Sequence, residues 1–388
     1  MDSLSIVIIG TGLAGYNLAK EIRKRSEDVR LTLITRDDGA FYSKPMLSNA
    51  LAEQKQASDL LMADVDKMRA DLNATILTRT AVITIDKEAR SLRLENGGQL
   101  DYDKLVLATG ARPAQFPVDG DGADGVLAVN NLDDYAQFRA RLEDESRENK
   151  SRVAIIGAGL IGCEFANDLA SAGHEVTMIE PGRVPMSSLL PVEAGQVLQT
   201  ALSSLGVRWY LERTARVINK KKHGYELVLS DRQSVHVELV LSAIGLRADT
   251  RLAEIAGIDY HRGVVVDRHL QSSDDSIYAL GDCAAVEGLV LPFVMPLMNG
   301  ARALAATLCG EPTVVNYPAM PVFVKTPVLT TVVSPPPRGA DGEWQFTSMD
   351  NGIKALFKNG DQLLGFALLG DAVSERQTLT RELPPVLQ

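Results

Sequence analysis

The sequence predicts an α/β protein with two Rossmann-like dinucleotide-binding domains and a small C-terminal α+β domain. The pattern Gly-x-Gly-x-x-Gly occurs at residues 10–15 and again at residues 157–162, each time after a short apolar run and before a segment of helical periodicity. One copy is weak evidence. Two copies in strand–turn–helix context predict two bound dinucleotides, because one dinucleotide fold occupies about one domain. A hairpin signal at residues 358–361, between two apolar runs, predicts the third domain.

The composition narrows the possible partners. The chain has 388 residues, a net charge of −10 and 5% aromatic residues, so we expect no nucleic acid partner. The longest apolar run, at residues 289–298, is shorter than the roughly 20 residues of a membrane helix, which predicts no membrane insertion. Three widely separated cysteines, and strand residues that begin by Leu4, predict a cytoplasmic protein without a secretory signal.

The first dinucleotide-binding domain is predicted to be discontinuous, with residues 1–113 and 246–322. Its first part contains a strand at 6–9, a helix to about Lys24, a strand at 31–35, helical stretches near 58–71 and a buried strand before Thr109-Gly110. Its second part contains a strand before Gly281-Asp282 and a helix near 299–309. Such strand ends are where parallel sheets bind ligands, although an ordinary buried strand that ends in a turn has the same pattern.

The second domain is predicted to comprise residues 114–245 and begins in a crossing rich in Pro, Gly and Asp. After the second glycine pattern we expect a strand at 175–180, an amphipathic helix near 192–205, and strands near 224–229 and 235–244 that lead to Gly245. Residues 323–388 form the predicted third domain, which contains the hairpin and a helix to about Glu382.

The glycine pattern has a mechanical basis. The first glycine allows the tight turn, the second lets a pyrophosphate approach the backbone, and the third lets helix and strand pack closely. Glu180 lies 18 residues after Gly162, at the end of the next strand, where a carboxylate accepts hydrogen bonds from a ribose. A carboxylate there repels a 2′-phosphate and so predicts NADH over NADPH, although the nearby Arg183 could soften this preference. In the first domain the ribose is held by Thr35, Arg36 or Asp37, and the residues do not decide between them.

Taken in order along the whole chain, these motifs resemble the two-dinucleotide-binding flavoprotein oxidoreductases of the glutathione-reductase type. The resemblance implies that FAD binds at the first glycine pattern and at Gly281-Asp282, and that NADH binds at the second pattern. Disulfide reductases of this family carry a cysteine pair soon after the first βαβ unit, but residues 41–48 contain no cysteine here. The electrons are therefore expected to leave for an external acceptor.

The resemblance also implies roles for individual residues. It implies a Lys44–Glu164 pair beside the flavin, in which the cation favours the negatively charged reduced flavin and the carboxylate holds the lysine; the alternative is a surface ion pair of little energetic worth. We expect no metal ligands, because the histidines are scattered. The implied cofactor-binding residues are Gly10, Thr11, Gly12, Leu13, Ala14, Gly15, Thr35, Arg36, Lys44, Pro45, Val82, Ala108, Thr109, Gly110, Arg112, Gly157, Gly159, Leu160, Ile161, Gly162, Glu164, Glu180, Gly245, Gly281, Asp282, Val294 and Lys325.

Four segments refine the resemblance within the family. Residues 42–48, 160–169, 295–298 and 324–327 followed by 332–339 are similar to members that reduce rubredoxin, and the first of them is less closely similar to members that reduce [2Fe–2S] ferredoxins. The implied acceptor is rubredoxin, a small acidic iron protein, and the implied pathway is alkane hydroxylation. The alternative is a ferredoxin reductase of an oxygenase system. Because rubredoxins are acidic, we expect a basic patch near the flavin.

Overall fold

The structure, a computed structural model, describes residues 3–145 and 150–387, so residues 1–2, 146–149 and 388 of the predicted domains lie outside the described residues. Its two parallel sheets flanked by helices and its separate antiparallel C-terminal sheet confirm the predicted fold class. Within the described residues, no helix is both long enough and apolar enough to cross a membrane.

The first part of the chain contains mainly short strands. The helical stretches predicted near 58–71 are interrupted, because Leu61–Ala63 pairs with Phe41–Tyr42 as a strand and only the residues after the capping Asp64 are α-helical. Here a long-range pairing overrides the local helical pattern. The elements are β1 (Ser5–Ile9), α1 (Leu13–Arg23), β2 (Arg30–Ile34), β3 (Phe41–Tyr42), β4 (Leu61–Ala63), α2 (Val65–Leu72), β5 (Thr75–Leu77), β6 (Val82–Asp86), β7 (Ser91–Leu94), β8 (Gln99–Asp101), β9 (Lys104–Leu107) and β10 (Ala111–Pro113).

The middle part of the chain follows the second glycine pattern. The predicted strand at 235–244 is two strands that belong to different sheets, since the first pairs antiparallel and the second parallel. The elements are α3 (Leu132–Glu145), β11 (Arg152–Ile156), α4 (Leu160–Ser171), β12 (Glu175–Glu180), α5 (Val192–Ser204), β13 (Arg208–Leu211), β14 (Ala215–Lys220), β15 (Tyr225–Leu229), β16 (Ser234–Val237) and β17 (Leu239–Ser242).

The last part of the chain returns to the first sheet and then forms the third. The helix predicted near 299–309 begins five residues earlier, at Val294. Pro296 is compatible with this start, because it lies in the first turn, where its missing N–H costs no hydrogen bond. The elements are β18 (Leu246–Ala248), α6 (Arg251–Ile255), β19 (Val264–Val266), β20 (Ile277–Ala279), β21 (Ala284–Val286), α7 (Val294–Leu308), β22 (Val322–Val324), β23 (Thr331–Ser334), β24 (Glu343–Met349), β25 (Gly352–Asn359), β26 (Gln362–Gly370) and α8 (Arg376–Glu382).

Two parallel sheets position the candidate site. The first has the strand order β20-β9-β1-β2-β5 and the second β13-β12-β11-β17. The carboxyl ends of parallel strands meet at one edge of a sheet, so each glycine loop lies where ligands bind in such folds. The chain passes between these two sheets twice, once through β10 and once through β18. These two strands pair antiparallel as a ribbon, with Arg112 opposite Arg247. The exact domain boundaries stay a prediction.

The third sheet has the order β22-β23-β26-β25-β24 and packs on both faces. One face places Ile353 and Leu369 in the same apolar cluster as Met186 and Leu198 of the middle part of the chain. The other face packs on α8, where Phe366, Leu379 and Leu383 share a smaller cluster. The third domain is therefore fixed against the second by apolar burial.

Replacement by alanine is expected to have different effects on stability at two glycines of the second pattern. A Cβ at Gly162 would overlap the Gly157 carbonyl oxygen, whereas a Cβ at Gly159 would have no atom within 4 Å. We expect Gly162→Ala to lower the free energy of unfolding by about 2 kcal/mol or more, as overpacking does. Gly159→Ala should leave the unfolding midpoint unchanged and weaken NADH binding. Thermal unfolding and NADH titration of both variants check this; equal loss of stability would contradict it.

Candidate functional site

The first glycine loop, between β1 and α1, forms an open cradle. A Cβ at Gly12 would have no atom within 4 Å, whereas a Cβ at Gly15 would overlap the carbonyl oxygen of Gly10. Leu13 and Ala14 form the first turn of α1, so the unpaired N–H groups of the helix start border the cradle. This open space beside amide donors fits a pyrophosphate, and the loop is where the resemblance places that of FAD.

The neighbouring strand ends supply the walls of the first cradle. Asp37 Oδ1 accepts hydrogen bonds from Thr35 Oγ1 (2.6 Å), Gly39 N (3.0 Å) and Thr11 Oγ1 (3.3 Å), which ties the end of β2 to the glycine loop. The Arg36 side chain is exposed, and Val82 is buried at the start of β6. Which of Thr35, Arg36 and Asp37 contacts a ribose stays a prediction.

Two further strand ends meet the same edge. Ala108 packs against Gly10, and the Thr109 hydroxyl after β9 donates to the Asp249 carbonyl oxygen at 2.8 Å. The rest of this wall comes from the ribbon and from β20. Gly110 has φ +67°, Arg112 Nε lies 3.5 Å from Asp249 Oδ1, and Gly281 lies against the Ala14 side chain. Every segment predicted for FAD from these strand ends therefore reaches one edge of the sheet.

Lys44 and Asp282 influence each other across this edge. Burial lowers the pKa of the Lys44 ammonium, and the Asp282 carboxylate opposes that shift. Burial raises the pKa of Asp282, and Lys44 opposes it in turn. The two charges therefore act on each other electrostatically, although no ion pair of Lys44 is found among the described residues.

The second cradle, between β11 and α4, repeats the design of the first. Gly157 has φ +100° and packs against Ala243, while Gly159 is open, and Leu160 and Ile161 form the first helical turn. Gly245 follows β17 and has φ +109°. Binding of a dinucleotide by these residues stays a prediction.

Glu180 lies at the mouth of the second cradle. Its Oε2 accepts from the backbone N–H of Ala158 at 2.6 Å, and its Oε1 accepts from the N–H of Gly182 at 2.8 Å. The carboxylate is therefore held at the end of β12 by one N–H group of the glycine loop and one of the turn after the strand. This is the position at which a ribose or a 2′-phosphate would meet a negative charge.

The predicted direct ion pair between Lys44 and Glu164 is wrong. Lys44 Nζ donates to Asn130 Oδ1 at 2.7 Å, and the Glu164 carboxylate lies 3.3 Å from Lys325 Nζ instead. The reason is that Ser48 Oγ and the Lys325 N–H (2.9 Å) also donate to Glu164 and occupy both of its oxygens. Both lysines remain at the site, since Lys325 Nζ also donates to the carbonyl oxygen of Pro45.

Helix α4 presents three buried polar side chains to the other two domains. Glu164 holds Ser48 and Lys325, Asp168 accepts from the N–H groups of Leu51 and Ala52 at 2.9 Å each, and Asn167 Oδ1 accepts from Val328 N at 3.1 Å. All three are at most 3% exposed, and their spacing of three and four residues places them on one face of the helix. The helix that begins at the second cradle therefore clamps the segment that carries Lys44 and the segment that carries Lys325.

Sequence reasoning missed Asn130 and Asp168. Asn130 lies 86 residues from Lys44, and Asp168 lies 117 residues from Leu51. No local pattern distinguishes such residues from solvated polar residues of a loop or a helix. Within the described ranges, no group of three His, Cys, Asp or Glu side chains is arranged to hold a metal.

The Glu164–Lys325 contact predicts a measurable coupling. Lys325→Met removes the cation from a buried carboxylate and should lower the free energy of unfolding by about 2 kcal/mol, less than for a fully buried pair because Lys325 is partly exposed. In a Glu164→Gln background the same change should cost much less, which a double-mutant cycle detects. Lys354→Met, which breaks the more exposed Lys354–Glu375 pair, is the control and should cost below about 1 kcal/mol. Strict additivity would contradict the coupling.

Comparison with known proteins identifies the family of the chain. Residues 4–305 match the pyridine nucleotide-disulphide oxidoreductase family, and residues 314–383 match the rubredoxin binding C-terminal domain. The chain is 44% identical to the rubredoxin-NAD(+) reductase of Alcanivorax borkumensis, over 98% of this chain and 99% of the relative. It is 43% identical to that of Acinetobacter baylyi, over 98% of each.

A solved structure has the same fold across nearly the whole chain. A ferredoxin reductase from Rhodopseudomonas palustris superposes with a TM-score of 0.87 at 26% identity, covering 98% of this chain and 95% of that one. The resemblance inferred from the motifs is confirmed by the family match and the curated relatives. The chain belongs to the pyridine nucleotide-disulphide oxidoreductase family.

Proposed function

We propose that the chain is an FAD-dependent NADH:rubredoxin oxidoreductase. The observation that carries the proposal is that residues 314–383 match a rubredoxin-binding domain and contain Lys325, which contacts the candidate flavin site through Pro45 and Glu164. When bound, FAD supplies the chemistry that accepts a hydride from NADH and releases electrons singly. The relatives named rubredoxin-NAD(+) reductase support the same acceptor.

In this scheme the residues of the chain bind the two dinucleotides and orient them. The open glycine positions of the two cradles hold the two pyrophosphates, and Glu180 faces the ribose of NADH. Lys44, Lys325 and Glu164 are proposed to lie beside the flavin, where the two lysines supply positive charge and Glu164 keeps Lys325 in place. No side chain is needed to move a proton in the overall transfer of electrons.

We propose a docking surface formed by Val294, Met295, Phe323 and Arg376. The three apolar side chains are 43%, 52% and 48% exposed, and the Arg376 guanidinium lies 4.5 Å from the centre of the Phe323 ring. Asn299 Nδ2, one turn after Met295, lies 3.6 Å from Met320 Sδ, which brings the start of α7 close to the segment before β22. Apolar centres with a cationic rim are typical of small transient interfaces.

The acceptor is tested by reducing a rubredoxin and a [2Fe–2S] ferredoxin with NADH and the purified flavoprotein at equal concentrations. We expect faster reduction of the rubredoxin, and a decrease in its rate at high salt because its acidic surface meets Arg376. Arg376→Glu should lower the rubredoxin rate about tenfold or more, while NADH–ferricyanide activity stays unchanged.

Arg381→Glu, an exposed charge reversal on the same helix, is the control for this test and should change the rubredoxin rate less than threefold. Equal effects of the two substitutions, or a rate that does not depend on salt, would contradict the docking surface.

Faster reduction of the ferredoxin would favour the second candidate, a ferredoxin reductase, which the structural match to the Rhodopseudomonas palustris protein supports.

The position of Glu180 predicts nucleotide preference. Glu180→Gln removes the negative charge but keeps an acceptor oxygen, so the NADPH/NADH ratio of kcat/KM should rise about tenfold as repulsion of the 2′-phosphate is lost. Glu175→Gln, at the other end of the same strand, makes the same chemical change far from the cradle and should leave the ratio unchanged. An unaltered ratio in Glu180→Gln would exclude this role.

The cellular setting is also part of the proposal. The three cysteines are free thiols, which supports a reducing compartment such as the cytoplasm. Supply of electrons through rubredoxin to an alkane hydroxylase stays a prediction from the resemblance.

A further inference from the structure

Lys44 has an uncharged partner. Its Nζ donates to Asn130 Oδ1 at 2.7 Å, and within the described residues it forms no ion pair with a carboxylate. The carboxylate that the resemblance assigns to it, Glu164, is occupied by Ser48 and Lys325. Asp134 on α3 accepts a hydrogen bond from the Asn130 N–H at 2.9 Å. The ammonium is therefore oriented but not neutralised.

Asn130 itself is fixed at three points. Its Nδ2 donates to the Ala111 carbonyl oxygen at 3.0 Å, its N–H donates to Asp134, and its Oδ1 accepts from Lys44. Ala111 is the first residue of β10, which pairs with β18, so the amide is anchored to this two-stranded ribbon. The side-chain amide is held at both its nitrogen and its oxygen, so its oxygen points in one direction, and this direction sets where the ammonium sits.

We propose that Asn130 is a positioning residue that fixes the Lys44 ammonium at the flavin site without placing a counter-ion against it. A carboxylate partner would cancel most of the field of the ammonium, whereas an amide carries no net charge. This inference rests on the proposed function, because it takes Lys44 to face the flavin.

The consequence concerns the flavin reduction potential. A flavin becomes more negative on reduction, so a cation beside it favours the reduced form. The charged groups that face Lys44 are Asp282 at the end of β20 and Asp134 on α3, and both oppose this effect. Replacing Asn130 by an acid would add a third negative group, at hydrogen-bond distance from Nζ.

The test is an anaerobic redox titration of the FAD-bound protein, which needs no protein acceptor. At a fixed solution potential, Asn130→Asp should lower the ratio of reduced to oxidised flavin about tenfold or more, because the new charge lies against the ammonium. Asn131→Asp adds the same charge one residue away and should change the ratio less than threefold. It also keeps the helix cap, since Asn131 Oδ1 accepts from Asp134 N at 2.7 Å.

The role of Lys44 is isolated by repeating the titration in a Lys44→Met background. In that background Asn130→Asp should change the ratio of reduced to oxidised flavin no more than Asn131→Asp does, because only the direct action of the new charge on the flavin remains.

Asn130→Ala provides a second test if Asn130→Asp does not fold, because it adds no buried charge. It should lower the ratio of reduced to oxidised flavin only when Lys44 is present. No shift, a shift equal to that of Asn131→Asp, or a shift that is independent of Lys44 would overturn the proposal. Failure of the proposed function would appear separately, as loss of rubredoxin reduction by the unmodified protein.

Discussion

The arrangement of the three domains depends on one buried carboxylate. Glu164 is 2% exposed, so its charge must be compensated inside the protein, and the compensating groups come from both of the other domains. Ser48 comes from the segment that carries Lys44, and Lys325 comes from the loop after β22. Because these donors satisfy Glu164 together, the position of each domain is fixed relative to the helix that begins at the second cradle. Asp168 and Asn167 strengthen the same arrangement with neutral backbone donors.

The features that were predicted correctly from the sequence are those that depend on residues close together in the chain. The glycine loops, Glu180 at the end of β12 and the hairpin at 358–361 each follow from residues within about one turn or strand of one another, and the structure has them in place. The partners of Lys44 and Glu164 were not predictable in this way. Two lysines, at positions 44 and 325, compete for one carboxylate, and the outcome depends on where three distant chain segments meet.

The same limit explains the errors in secondary structure. Residues 61–63 have the pattern of a helix but pair with β3, and residues 235–244 have the pattern of one strand but contribute to two sheets. In both cases a tertiary partner decides the conformation of a short apolar segment. Residues such as Asn130, whose side-chain partners are distant in the chain, can be recognised only once the fold is known.

The strands of the first parallel sheet come from two distant parts of the chain, and this affects how the sheet forms during translation. β20 pairs with β9 at the edge of that sheet, yet it follows β9 by about 170 residues. During translation at about 5–20 residues per second, β9 waits on the order of ten to thirty seconds for its neighbour, with the edge that carries Leu105 to Leu107 unpaired. The second parallel sheet, whose strands all lie between residues 152 and 242, can close first. A nascent chain of this protein is therefore most exposed to edge-to-edge association before residues 277–279 have left the ribosome.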